Sequence, residues 1–250
     1  MNFPVARRMW WLLQQALREV VQQRFAWILG CTALVMIAGA SVLREFNFGA
    51  EEGRFLRDFV EATLALWGTV MAIMLNVAMV QGGVEQGSLV MTFMRGVRRH
   101  EWLLSRWVAV GVALAWLTVL GYLTLGGLLA WHGHAVPVGQ LAVAGGRMFL
   151  RLALVSSFAL TACAVSRGLL LATGLALSLT LAAQLSSILQ WAGRHGGASA
   201  RWGWQAIDWV VPAFRVLDSG TNALHALIYA ASYAVLYALL ACALFSRREI

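Results

Sequence analysis

Lysine is missing altogether: all 19 basic residues of this 250-residue chain are arginine. A P-loop needs a Gly-rich turn followed by Lys and then Ser or Thr, because the ammonium reaches the β- and γ-phosphates. A self-contained P-loop ATPase is therefore excluded, and any ATP-driven work is expected to be energised by another chain. Charge of either sign is scarce, at 12% of residues against roughly a quarter in an ordinary soluble domain. Only three cysteines occur, Cys31, Cys163 and Cys242. Far apart, in apolar runs and odd in number, they read as small buried hydrophobes, not as a disulfide framework or metal site. The N-terminus has no short apolar run closed by a small-residue cleavage site, so no cleavable signal peptide is expected. Nor do the paired groups of an intramembrane enzyme (Ser with His, paired Asp, His-Glu-x-x-His) appear at suitable spacing.

What is abundant is apolar surface. Hydrophobic residues make up 60% of the chain, more than a water-soluble domain of this size could bury, and long uncharged runs imply that the excess faces lipid. A spanning helix needs about 20 largely apolar residues. Six stretches qualify, at about 25–43, 62–80, 107–131, 144–165, 169–189 and 223–245. The expected fold is all-α, a polytopic membrane protein of six transmembrane helices in residues 25–250, preceded by a helix in residues 1–24. The net charge of +8 then belongs to loops near anionic headgroups or a partner, not to a nucleic-acid surface.

Six spans put both termini on one side. With that side cytoplasmic, 11 arginines lie inside and 8 outside, while acidic residues divide 4 inside and 7 outside; the arginine bias favours cytoplasmic termini. From Val5 to Arg24, polar residues recur at Arg7, Arg8, Gln14, Gln15, Arg18, Glu19, Gln22 and Gln23, opposite Met9, Leu13, Ala16, Leu17, Val20 and Val21. That 3.6-residue period predicts an amphipathic helix at the membrane interface. It serves either as an anchor for the first span or also as a contact for a cytoplasmic partner. The charged segment from Arg44 to Asp58 reads as a solvated outer loop, and His132–Gln140 as a short one with Gly133 and Pro137 as turn residues. Between Gln190 and Thr221, tryptophans 202, 204 and 209 around Pro212 suit a short interfacial or re-entrant helix.

The segment between the second and third spans carries the strongest local signal. It reads Gln81-Gly82-Gly83-Val84-Glu85-Gln86-Gly87-Ser88-Leu89, an apolar stretch, then Arg95-Gly96-Val97-Arg98-Arg99-His100-Glu101-Trp102-Leu103-Leu104-Ser105-Arg106-Trp107. An acidic residue followed by Gly-Ser-Leu, a basic turn and a Leu-Leu lead-in to the third span resembles the permease subunits of ABC-2-type transporters. Gly96 stands where Pro is usual in that family, and Ser105-Arg106 where Gly-Lys is usual. Two further segments are similar to the family pattern: Trp209–Asp218 around Pro212, with Ala213 in place of the usual Asn, and the Leu244-Phe245-Ser246-Arg247-Arg248-Glu249-Ile250 ending.

The resemblance implies a permease that works with a separate P-loop ATPase, with ATP and Mg held there and no cofactor on this chain. It also implies a dimer with a second copy or a paralogue, in a bacterial cytoplasmic membrane, mostly for export. The loop between spans two and three would form a coupling helix on the ATPase, with Glu85, Gly87, Ser88, Arg95, Arg98 and Arg99 at the interface. Gly82, Gly83 and Gly87 would allow close backbone approach. The three arginines read equally as anchors at lipid headgroups.

Asn76, Gln184 and His225 are polar groups near membrane depth, expected along a pathway or at a subunit interface. Arg147 and Arg151, one turn apart, would snorkel to headgroups or face an anionic substrate. His132 and His134 lack a third ligand in sequence and read as loop residues. A non-transporting scaffold for maturation of a periplasmic or surface component is the alternative reading of the same architecture.

Overall fold

The computed structural model describes residues 5–39, 52–85, 97–131, 133, 137–166, 168–186, 212–218 and 223–247. The elements are α1 (Val5–Gln22), α2 (Arg24–Gly39), α3 (Glu52–Glu85), α4 (Arg99–Trp131), α5 (Val138–Val165), α6 (Leu169–Gln184), α7 (Arg215–Asp218) and α8 (Ala223–Ser246). No strand occurs among the described residues. Among the described residues, four helices (α3, α4, α5 and α8) are long and apolar enough to cross a membrane. A fifth is added if α1 and α2, bent by 63° at a short break, count as one span.

Several helices extend beyond the apolar stretches read from the sequence. Helix α3 begins at Glu52, ten residues before the expected span, so Arg54, Arg57 and Asp58 lie on a helix and not in a loop. Its 34 residues reach about 51 Å at ~1.5 Å per residue, well beyond a hydrocarbon core of ~30 Å, which leaves the charged first turns outside. Helix α4 begins at Arg99, eight residues before the uncharged run at Trp107. The Arg98 amide donates to Glu101 Oε2 at 3.2 Å, the N3 half of a capping box, and this starts the helix among its charges. Helix α5 starts directly after Pro137, so Val138–Gln140 is helical. Helix α6 has 16 residues and is followed by Leu185 outside the helical conformation; residues 187–189 of the expected span lie outside the described residues.

Helix α5 is the centre of the bundle, packed against α3, α4, α6 and α8. Every residue from Leu154 to Ala164 is buried, and α5 reads as apolar all round because it meets protein on all sides. Small residues set the helix spacing. A Cβ at Gly68 would stand 2.7 Å from Cδ1 of Leu152, and one at Gly121 would stand 2.6 Å from Cδ2 of Leu64. The glycines thus receive leucine knobs and let α3 approach both α4 and α5. By contrast α2, α6 and α8 leave Trp27, Val35, Leu170, Leu177, Leu227 and Leu239 exposed, surface that only lipid or another apolar body can cover. Cys31 is exposed and Cys242 half-buried; Cys163 alone matches the expected buried hydrophobe.

Candidate functional site

Helices α3, α5 and α8 finish, and α4 and α6 begin, at one end of the bundle. Three contacts establish this. Gln81 Nε2 of α3 donates to the carbonyls of Cys163 (3.4 Å) and Ser166 (3.1 Å) at the end of α5. Arg99 Nη1, at the start of α4, reaches the Ser246 carbonyl at the end of α8 at 3.5 Å, a cation at a helix C-terminus. The indole of Trp102 stacks on Phe245 with ring centroids 5.9 Å apart.

The centre of this end is Arg106, its side chain only 6% exposed. Its Nη1 donates to Glu19 Oε2 at 2.6 Å and to the Met79 carbonyl at 2.7 Å, and Nη2 donates to Glu19 Oε1 at 3.3 Å. The guanidinium also lies 4.1 Å from the centroid of the Trp102 ring. A buried cation is tolerated only when paired and hydrogen-bonded, and here three helices supply the partners: Glu19 from α1, Met79 from α3, Trp102 from α4. Gly83 completes the packing, since a Cβ there would come within 2.8 Å of Trp102 Cζ2.

Helix α1 divides its surface three ways. Leu12, Ala16 and Val20 are buried, on a helix whose main neighbour is α4. Trp10 and Val21 are exposed apolar residues on the next arc, while Arg7, Gln14, Arg18 and Gln22 form an exposed, mainly polar arc that also carries Trp11. Glu19 sits on the border between the buried and polar arcs, held by Gln15 Nε2 at 3.3 Å as well as by Arg106.

The residues singled out from sequence fall as follows. Gln81, Gly82, Gly83 and Glu85 are helical, in the last turns of α3 and not in a loop; Gly83 serves contact with Trp102 of the same chain. The Glu85 side chain, and Gly87, Ser88 and Arg95, lie outside the described residues. Arg98 is exposed and Arg99 half-buried. Asn76 is buried and donates to Ser156 Oγ of α5 at 2.9 Å and to the Ala72 carbonyl at 2.7 Å. Gln184 and His225 are exposed. The guanidinium of Arg151 lies 5.0 Å from the ring of Phe214. The pairing of Arg106 with Glu19 was not legible in the sequence; an arginine just before an uncharged 25-residue run was its one signal.

A concavity of about 990 Å³ opens between α4 and α5 towards their other ends. Tyr122, Leu123, Leu141 and Phe149 line it together with Gly126, Gly127, Gly145 and Gly146.

No protein-family model matches this chain, and comparison with curated proteins finds no match.

Proposed function

We propose that the chain is the permease subunit of an ABC-2-type transporter, forming the membrane pathway and coupled to a separate P-loop ATPase, for export. One observation carries the reading. The segment with the family-like sequence is bracketed by the ends of α3 and α4, Glu85 on one side and Arg98–Arg99 on the other. Helix α4 extends two turns beyond its uncharged run at that end. The end of α3 and the start of α4 would then carry this sequence towards a partner ATPase in water.

Six crossings are part of this reading, and the end contacts support it. The chain leaves α5 at Ser166 and begins α8 at the far end, and in this reading α6 makes the crossing between them, ahead of the four-residue α7. Likewise α1 packs near Arg106, whereas α3 starts at the opposite end, with α2 between. The arginine bias makes the Arg106 end cytoplasmic, with both termini there and α1 at the interface. Trp10 and Val21 then face lipid, and Arg18 faces water. Exposed apolar faces on α2, α6 and α8 are available for lipid and for a second copy or paralogue. ATP and Mg would sit on the partner ATPase, and ATP-driven movement of the hairpin would change the access of the pathway.

The test is purification from the native membrane in mild detergent. A co-purifying P-loop ATPase is expected, with its hydrolysis coupled to this chain. Glu85→Arg should insert normally yet break that coupling. Reproducible absence of any such ATPase would sink the reading in favour of a scaffold, and unchanged coupling in Glu85→Arg would remove Glu85 from the interface.

A further inference from the structure

We propose that the Glu19–Arg106 pair joins α1 to the α3–α4 hairpin as one rigid unit, so that α1 is a follower of that hairpin and not a tether for α2. The inference concerns contacts inside one chain and does not depend on the permease reading.

Three observations converge. First, α1 packs mainly on α4, with only minor contact to α2 and α3, although α2 is its neighbour in sequence. Second, the chain breaks at Gln23 and turns by 63° into α2. The turn keeps two backbone bonds, Gln23 N–H to the Val20 carbonyl (3.1 Å) and Ala26 N–H to the Gln23 carbonyl (3.0 Å); the side-chain bridge across it is the exposed Trp27 Nε1–Val21 carbonyl bond of 2.8 Å, which water or headgroups can replace. Third, Arg106 uses a single guanidinium to hold α1 through both Glu19 oxygens and α3 through the Met79 carbonyl. Arginine suits this because its planar fork presents several donors in fixed directions. Removing Glu19 leaves a buried cation without its counter-charge, and the cheapest relief is for Arg106 to turn outward and for α1 to come away. The exposed arc of Trp10 and Val21 gives a released α1 an apolar side with which to lie on the bilayer.

Spin-label distance measurements on the full chain, in nanodiscs of phosphatidylcholine and phosphatidylglycerol, decide the matter. With native cysteines replaced by alanine, one label pair sits at Gln14 of α1 and Val112 of α4, both exposed. A second pair sits at Gln14 and Val35 of α2, and a third at Met74 of α3 and Val112. The α1–α4 distribution is expected to be narrower than the α1–α2 one. Glu19→Ala should at least double the α1–α4 width while leaving the α3–α4 width unchanged. Arg18→Gln, which removes an exposed charge from the same helix, should alter neither. An unchanged α1–α4 width in Glu19→Ala overturns the proposal, as does an α1–α2 distribution narrower than the α1–α4 one. Broadening of the α3–α4 pair as well would make Glu19 a brace of the whole bundle and overturn it too. Equal broadening by Arg18→Gln would assign the effect to helix charge and not to the pair.

Discussion

Gly83 faces the indole of Trp102 so closely that a Cβ would lie 2.8 Å from Cζ2. Trp102 cannot swing aside, because Phe245 stacks on it and Arg106 lies over its ring. Gly83→Ala should therefore destabilise the bundle by about 1–3 kcal/mol, the usual cost of overpacking a filled core. Among the described residues nothing stands within 4 Å of a Cβ at Gly82, so Gly82→Ala should be neutral or gain up to ~1 kcal/mol of helix propensity. Thermal unfolding of the two variants in detergent checks the contrast, and equal Tm shifts would refute it.

Arg106→Lys should lower stability although it keeps the charge. A single ammonium cannot hold both Glu19 oxygens and the Met79 carbonyl while stacking on Trp102. A loss of roughly 1–2 kcal/mol is expected, between the values typical of exposed and buried pairs, because Glu19 is 32% exposed. A lysine variant as stable as the original would show that only the charge matters there.

Asn76 and Ser156 should be coupled, but weakly. Their 2.9 Å bond lies inside the bundle, where interhelical hydrogen bonds in membranes average about 0.6 kcal/mol. A double-mutant cycle with Asn76→Leu and Ser156→Ala, read by denaturation in mixed micelles, should return a coupling on the order of 0.5–1.5 kcal/mol. A value indistinguishable from zero would mean the bond does not bind α3 to α5.

Gln81→Glu should destabilise more than Gln81→Met. The amide donates to two carbonyls at the end of α5; methionine only removes those bonds, whereas a carboxylate points charge at their oxygens and at the negative helix terminus. The difference should be about 1 kcal/mol or more, measurable as a gap in Tm between the two variants, and the reverse order would contradict the assigned contact.

Orientation can be read directly. In a cysteine-free background, single cysteines at Arg18 and Arg247 should resist a membrane-impermeant maleimide applied to intact cells, while one at Gly133 should react. The opposite pattern would place the termini outside.

How far the sequence reached depended on the kind of interaction. Apolar length alone located α3, α4, α5 and α8, because their cores are uninterrupted runs. It does not mark where the helices begin, because charged residues continue α3 and α4 beyond their apolar runs. Glu101 starts α4 through the Arg98 amide, and Arg106 stays helical because Glu19 and Met79 receive it, neither of which a local window contains. Gly82 and Gly83 read locally as a loop, and it is the indole of Trp102, 19 residues on, that gives Gly83 its place within α3. The residues of the family-like segment were legible as a motif, but their meeting with α1 is a long-range contact.

Glu19 and Arg106 are 87 residues apart. During synthesis the N-terminal helix emerges long before the arginine that holds it, and at least the whole of α2 and α3 must be inserted before the two can meet. Through that interval Glu19 has to remain in water while the apolar arc beside it finds temporary cover at the bilayer surface. The docked position of α1 is thus a late event in assembly, and a nascent chain halted before residue 106 would carry its first helix loose.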